Sequence, residues 1–260
     1  ARETAPPTDR QKRIGLADRH IRKAIDLSGK DLSAAIDEVN RVIERMPDYA
    51  PAYLIRGIFY YGKIAHPTMP NPKPPAAGSK KIEAWEKESR EYRNVLAKNK
   101  PLCDAALNDF NRAIELDPAN DGAYSNRARI YATESCNRQD LQRAVADFTT
   151  AIELNPGKAV HYQGRGYTYK IMAAYGKSIA DLRRAVSLNP DAHYSYFTLA
   201  SVYDEMKKTD LAAENYIKAL ELVPRDKADL IERYGKTMEQ SRKDNRPALL
   251  RDYTGLIAAR

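Results

Sequence analysis

At 260 residues the chain has the length of one or two globular domains, or of one array of smaller units. Charged residues make up 30% of it, mean hydropathy is −0.66, and no apolar run approaches the roughly 20 residues of a membrane-spanning helix. The net charge of +8 is scattered: the first thirty residues carry eight Lys/Arg against four Asp/Glu and Lys63 to Lys100 nine against four, so a solvated surface explains it better than a nucleic-acid-reading stripe.

Taken in chain order, Ala-Arg-Glu-Thr-Ala-Pro-Pro opens a disordered leader (1–8), and the first helix is expected from Thr8 or Asp9. Five later segments then end alike, at Pro47, Pro118, Pro156, Pro190 and Pro224, and the last two intervals are both 34 residues. That period marks an array of helix–turn–helix units, with proline closing each one because its ring cannot continue a helix. The predicted units are 16–49, 50–120, 121–158, 159–192 and 193–226, followed by C-terminal capping helices over 227–260. Within 159–192, Tyr162, Gly166 and Tyr169 share a face of a first helix, and Leu182 and Ala185 that of a second. Tyr196, Ala200, Tyr203, Ala212, Tyr216 and Ala219 repeat the set downstream. Upstream it recurs as Tyr124, Ala128, Tyr131, Ala144, Phe148 and Ala151, and as Tyr53, Gly57, Tyr60, Ala106, Phe110 and Ala113. The first unit is degenerate: it keeps Ala35 and Pro47 but has Val39 and Val42 at its packing positions.

Two irregularities stand out. The interval from Pro118 to Pro156 is 38 residues, which places four extra residues in the turn around Glu134 to Asp140. The interval from Pro47 to Pro118 is 71, which places an insertion over 65–101, between the two helices of its unit. It starts with a proline-rich loop from His66 to Pro75, then Ser79 reads as an N-cap and Lys80 to Lys98 as one inserted helix. Trp85 and Tyr92 lie on the apolar stripe of that helix and are candidate partner contacts. Cys103 and Cys136 fall near the turns of neighbouring units, on the same edge of an array, which brings them within reach of a disulfide. The alternative is two inert thiols in a cytosolic protein. The expectation taken is the disulfide and an oxidising compartment, a bacterial periplasm or the secreted space, which a chain starting at Ala1 after signal removal also suits.

The recurring aromatic, small residue, Tyr, Ala, aromatic, Ala, Pro pattern resembles the tetratricopeptide repeat family over roughly Leu16 to Pro224. The resemblance implies an all-α, right-handed superhelical array of helix–turn–helix repeats, carrying an inserted Pro-rich loop plus helix and C-terminal capping helices. It implies a protein or peptide partner held in a concave groove that the first helices line. Groove positions follow from the packing positions: Leu54, Ile58 and Tyr61; Ser125, Asn126, Arg129 and Thr133; Gln163, Tyr167 and Lys170; Tyr194, Phe197 and Ser201. Tyr61, Asn126, Arg129, Gln163, Tyr167, Lys170, Tyr194 and Phe197 are the candidate partner-binding residues. The run Tyr124-Ser-Asn-Arg-Ala128 also resembles relatives that clamp acidic chaperone tails, but only Asn126 of five clamp positions matches, so that clamp is not expected.

Nothing in the sequence points to chemistry. His20, His66, His161 and His193 are dispersed, and no paired His or Cys spacing suits zinc. No phosphate loop or nucleophile elbow occurs; Gly164-Arg165-Gly166 lies inside a predicted helix. Glu115, Asp147, Glu153, Asp181 and Glu221 read as a solvated helix face. No catalysis, cofactor, metal or small-molecule substrate is expected.

Overall fold

The computed structural model describes residues 8–67, 70, 73–76, 78–137, 139–224, 227, 230–232 and 234. Among them every regular element is helical: α1 (Asp9–Ser28), α2 (Leu32–Arg45), α3 (Ala50–Gly62), α4 (Ile82–Leu116), α5 (Asp121–Ala132), a 3-10 turn (Glu134–Cys136), α6 (Leu141–Leu154), α7 (Ala159–Ile171), α8 (Tyr175–Leu188), α9 (His193–Glu205) and α10 (Thr209–Leu222). α1 pairs with α2, α3 with α4, α7 with α8 and α9 with α10 as hairpins, so the fold is an all-α series of helix–turn–helix repeats. The predicted leader falls almost wholly outside the described residues, and so does most of the capping region.

Local signals set the helix ends. Thr8 caps α1 through a reciprocal pair with Gln11, Asp31 accepts from the Ser33 and Ala34 amides at the start of α2, and Asn120 accepts from the Ala123 amide at the start of α5. The helices α2, α4, α6, α8 and α10 each end two residues before a repeated proline. A residue that precedes proline disfavours helical geometry, which fixes these stops from sequence alone.

The inserted helix departs from expectation. It does not stop before Pro101 to leave a separate second helix for its unit; α4 runs unbroken for 35 residues with Pro101 inside it. Ser79 does not cap it directly but sits two residues before the cap position, accepting from the Lys81 amide. An interior proline costs about 3 kcal/mol through its missing donor and its ring clash. Next to it Asn99 is buried and makes three hydrogen bonds, from its amide to the Ala65 and Ser135 carbonyls and from the Ala65 amide to its oxygen, at 2.7, 3.0 and 3.0 Å. At about 1 kcal/mol each these offset the proline. Cys103, two residues on, is bonded to Cys136 with the Cα atoms 5.8 Å apart, so the 3-10 turn is tied to α4 covalently.

The chain divides into two compact units, Ala1–Arg143 and Ala144–Arg260. The first has two core clusters. One joins α1, α2 and α3 through Ile21, Ala24, Ala35, Val39 and Phe59; the other gathers Ile64, Cys103, Ala106, Phe110, Ile130 and Cys136. In the second unit Leu182, Leu199, Ala200, Tyr203, Tyr216 and Tyr234 form the core. Small residues allow the close approaches, and glycine is needed at two kinds of contact. A Cβ on Gly57 would sit 2.6 Å from the Phe110 ring and one on Gly166 2.8 Å from Leu182, each within its own hairpin. A Cβ on Gly164 would meet Phe148 of α6 at 2.3 Å, so this glycine admits the helix of the preceding repeat. The helical Gly-Arg-Gly run is therefore a packing device.

Candidate functional site

In the first unit α3 and α5 present Tyr61, Asn126 and Arg129. The exposed Arg129 guanidinium lies over the Tyr61 ring, 5.9 Å from its centroid. Tyr61 meets the His66 ring edge-on at 6.3 Å, and His66 Nδ1 lies 2.9 Å from the Ser135 hydroxyl. Among the described residues no carboxylate pairs with Arg129. Asn126 turns its amide nitrogen back to the Gly122 carbonyl at 2.8 Å, which leaves the side-chain oxygen as an acceptor. Leu54, Ile58 and Tyr61 are half-buried and pack on the core cluster of this unit, and Ser125 is buried.

In the second unit α7 and α9 present Gln163, Tyr167, Lys170 and Tyr194. The Tyr167 and Tyr194 rings are 6.2 Å apart and tilted by 50°, with 37% and 36% exposure. Two rings that keep over a third of their area in water, side by side on successive first helices, are a surface on which an apolar group gains burial. Lys170 is neutralised by Glu205 at 2.8 Å, and the other oxygen of that carboxylate accepts from the Tyr175 hydroxyl at 2.9 Å. Gln163 is half-buried on α7. Phe197 does not belong with this face. It stacks on Tyr234 at 4.0 Å, meets Tyr216 edge-on at 5.5 Å, and packs against the core. A residue of the predicted capping region thus buries it, a contact that helical periodicity cannot reveal.

Trp85 and Tyr92 are both half-buried along α4. Burial and then the Glu134 charge push the Tyr92 hydroxyl upward, which places that ring by the 3-10 turn.

The acidic residues read as solvated divide in two. Glu115, Glu153 and Glu221 are exposed, whereas Asp147 and Asp181 are buried. Asp181 takes a two-point ion pair from Arg165, at 2.7 and 2.9 Å, and Arg165 also donates to Thr149 at 3.0 Å. The first unit repeats the device: Arg56 forks onto Asp109 at 2.8 and 2.7 Å and donates to Asn40 at 2.7 Å. Each guanidinium also lies within about 6 Å of tyrosine rings, Tyr53 for Arg56 and Tyr162 and Tyr169 for Arg165. In the degenerate first repeat the matching acid is Glu38, held by His20, Arg41 and Lys23 at 2.6, 2.8 and 3.2 Å. Glu38, Asp109 and Asp181 each join the two helices of their own hairpin. The signal that finds them is the recurrence of Tyr-x-x-Arg in the first helix with an acid just before the aromatic or aliphatic packing residue of the second.

Among the described residues no cluster of His, Cys, Asp and Glu could hold a metal, and no helix is long and apolar enough to cross a membrane. Similarity to known proteins agrees with this architecture. The tetratricopeptide repeat family model matches residues 162–192 and 193–226. No curated protein matches the chain by sequence. Among solved structures, a thermophilic tetratricopeptide-repeat protein of Thermus thermophilus is similar at 20% identity, with a TM-score of 0.60 over 85% of this chain and 97% of that one. PilW, a widely conserved type IV pilus biogenesis factor, is similar at 15% identity, with a TM-score of 0.63 over 94% of this chain and 93% of its own. MamA is similar at 20% identity, with a TM-score of 0.51 over 75% and 90%. At these identities the likeness is one of fold.

Proposed function

We propose that this chain, a tetratricopeptide-repeat protein, is a non-catalytic adaptor that holds a peptide or protein partner on the first-helix faces of its repeats. In the first unit Tyr61, Asn126 and Arg129 make the contacts; in the second Gln163, Tyr167, Lys170 and Tyr194 do. Arg129 takes a carboxylate of the partner, and the Asn126 oxygen accepts a backbone N–H. Tyr167 and Tyr194 supply apolar contact. The observation that carries this reading is the contrast within the repeats. The packing positions are filled by the same small and aromatic residues in unit after unit, while first-helix surface positions differ and leave Arg129 without a carboxylate among the described residues. The chain works in an oxidising compartment, the periplasm of a bacterium or the secreted space, which the Cys103–Cys136 disulfide supports.

The test is a double variant. Asn126→Ala with Arg129→Ala is expected to weaken capture of the partner from native-source extract at least tenfold, with helicity by circular dichroism unchanged. Undiminished capture by the double variant sinks the reading.

A further inference from the structure

We infer that the open end of the first hairpin, between α1 and α2, is a second and separate binding site, for a peptide segment that carries one apolar side chain flanked by carboxylates. The floor of this cleft is Leu16, Ala17, Val42 and Met46. It encloses about 80 Å3, room for a single branched aliphatic side chain. Leu16 is 40% exposed there, an apolar side chain left partly in water at the end of the hairpin series where no earlier described helix packs.

Around that floor stand Arg13, Arg41, Arg45 and His20, and among the described residues no acidic one lines the cleft. Two of the arginines are held in place by the protein itself. Arg13 donates one hydrogen bond to the Arg45 carbonyl at 2.7 Å, and Arg41 donates one to Glu38 at 2.8 Å. A guanidinium has five N–H donors, so each keeps most of its fork for another acceptor. Arg45 has an exposed side chain with no carboxylate in ion-pair range among the described residues. Glu38, the acid that Arg41 meets, has a side-chain exposure of 3% and is shared among His20, Lys23 and Arg41. Arg13 and Arg41 are therefore ordered before any ligand arrives, and among the described residues no carboxylate pairs with Arg13 or Arg45.

Charge complementarity selects the occupant. Arg13 and Arg45, with Arg41 keeping spare donors beside them, ask for more than one carboxylate, and the floor between them asks for an apolar group. A bare polyanion would leave the floor wet. An anionic lipid surface presents a plane, which a slot the size of one side chain does not match. An acidic peptide with a central leucine satisfies both.

Titration of the 15N-labelled full chain with the peptide acetyl-Glu-Asp-Leu-Glu-Asp-amide, read by amide chemical shifts, tests this. The expected result is saturable shifts at Arg13, Leu16, Val42 and Met46. Affinity should fall at least tenfold when the peptide leucine becomes alanine, and at least tenfold in an Arg45→Glu variant whose circular dichroism is unchanged. An Arg45→Lys variant should keep most of the binding. The Arg129→Ala variant should bind this peptide like the parent, which separates the outcome from that of the repeat faces. Shifts confined to the surroundings of Tyr61 and Arg129, equal affinity for a peptide with lysines in place of its acids, or tight binding to phosphatidylglycerol vesicles with no peptide response would each overturn the inference.

Discussion

Arg165 shows how one side chain can hold a repeat together while looking like surface in the sequence. It reaches from α7 to Asp181 on α8 and to Thr149 on α6, so it ties three helices of the second unit. Removing one member of a buried pair leaves the other charge uncompensated, which typically costs about 3–5 kcal/mol. Arg165→Ala should therefore destabilise the chain by about 3 kcal/mol, measured by urea unfolding, given that Arg165 keeps some exposure. Arg165→Met combined with Asp181→Leu should recover most of that loss, because an apolar pair leaves nothing unpaired. The sequence hid this role because an acid at helical spacing reads the same whether water or a guanidinium faces it. Gly57 and Gly166, by contrast, were legible as close-approach positions, since small residues recur there in four repeats.

Glu38 gives the residue scale a pH signature. The hydrogen bond from His20 is the largest influence on it, with Lys23 acting the same way, and together they outweigh burial and hold the carboxyl below its ordinary 4.5. A carboxyl with a lowered folded pKa contributes stability that is fully present above its unfolded value. That contribution fades as pH falls from about 4.5 through the lower folded value. A melting-temperature profile should thus fall more steeply below pH 4.5 for the parent than for Glu38→Gln, which is less stable at neutral pH but has lost that acid dependence. Parallel acid limbs would contradict the assignment.

At the scale of the element, α4 is the informative case. Its prolines and its cap suggested an inserted helix that ends before a new one begins, because Pro101 reads as a stop. Local sequence could not show that Asn99 bridges Ala65 and Ser135, or that Cys103 is bonded to the turn beyond α5. Those long-range contacts outweigh the local break. The disulfide closes a separation of 33 residues, for which restriction of the unfolded chain predicts about 3–4 kcal/mol. Cys103→Ser with Cys136→Ser should lower the unfolding free energy by about that amount. Hydrogen exchange should show the loss of protection first at the 3-10 turn and the 65-to-99 contact, while the second unit exchanges at its former rate. The other helix ends needed no such help: five prolines mark five stops, each two residues past the last helical turn.

For the whole molecule, the repeat pattern carried the fold, because packing residues recur with the period of the hairpin and therefore report on it directly. The binding faces were less legible. Helical periodicity picks the exposed side of a first helix, and it placed Arg129, Tyr167 and Tyr194 there, all three exposed. It also picked Phe197, which Tyr234 covers from far along the chain, and it could not show that Glu205 offsets the charge of Lys170. Periodicity knows the faces of one helix but not what another element brings to them.

Site-specific photo-crosslinking tests the central claim most directly. A benzophenone side chain would be placed at position 129 in α5, at 167 in α7, and at the exposed outer position 153 in α6, and each protein incubated with native-source extract. The account predicts a crosslinked partner at 129 and at 167 and none at 153. Crosslinks confined to 153, or equal at all three positions, would contradict binding through the first-helix faces.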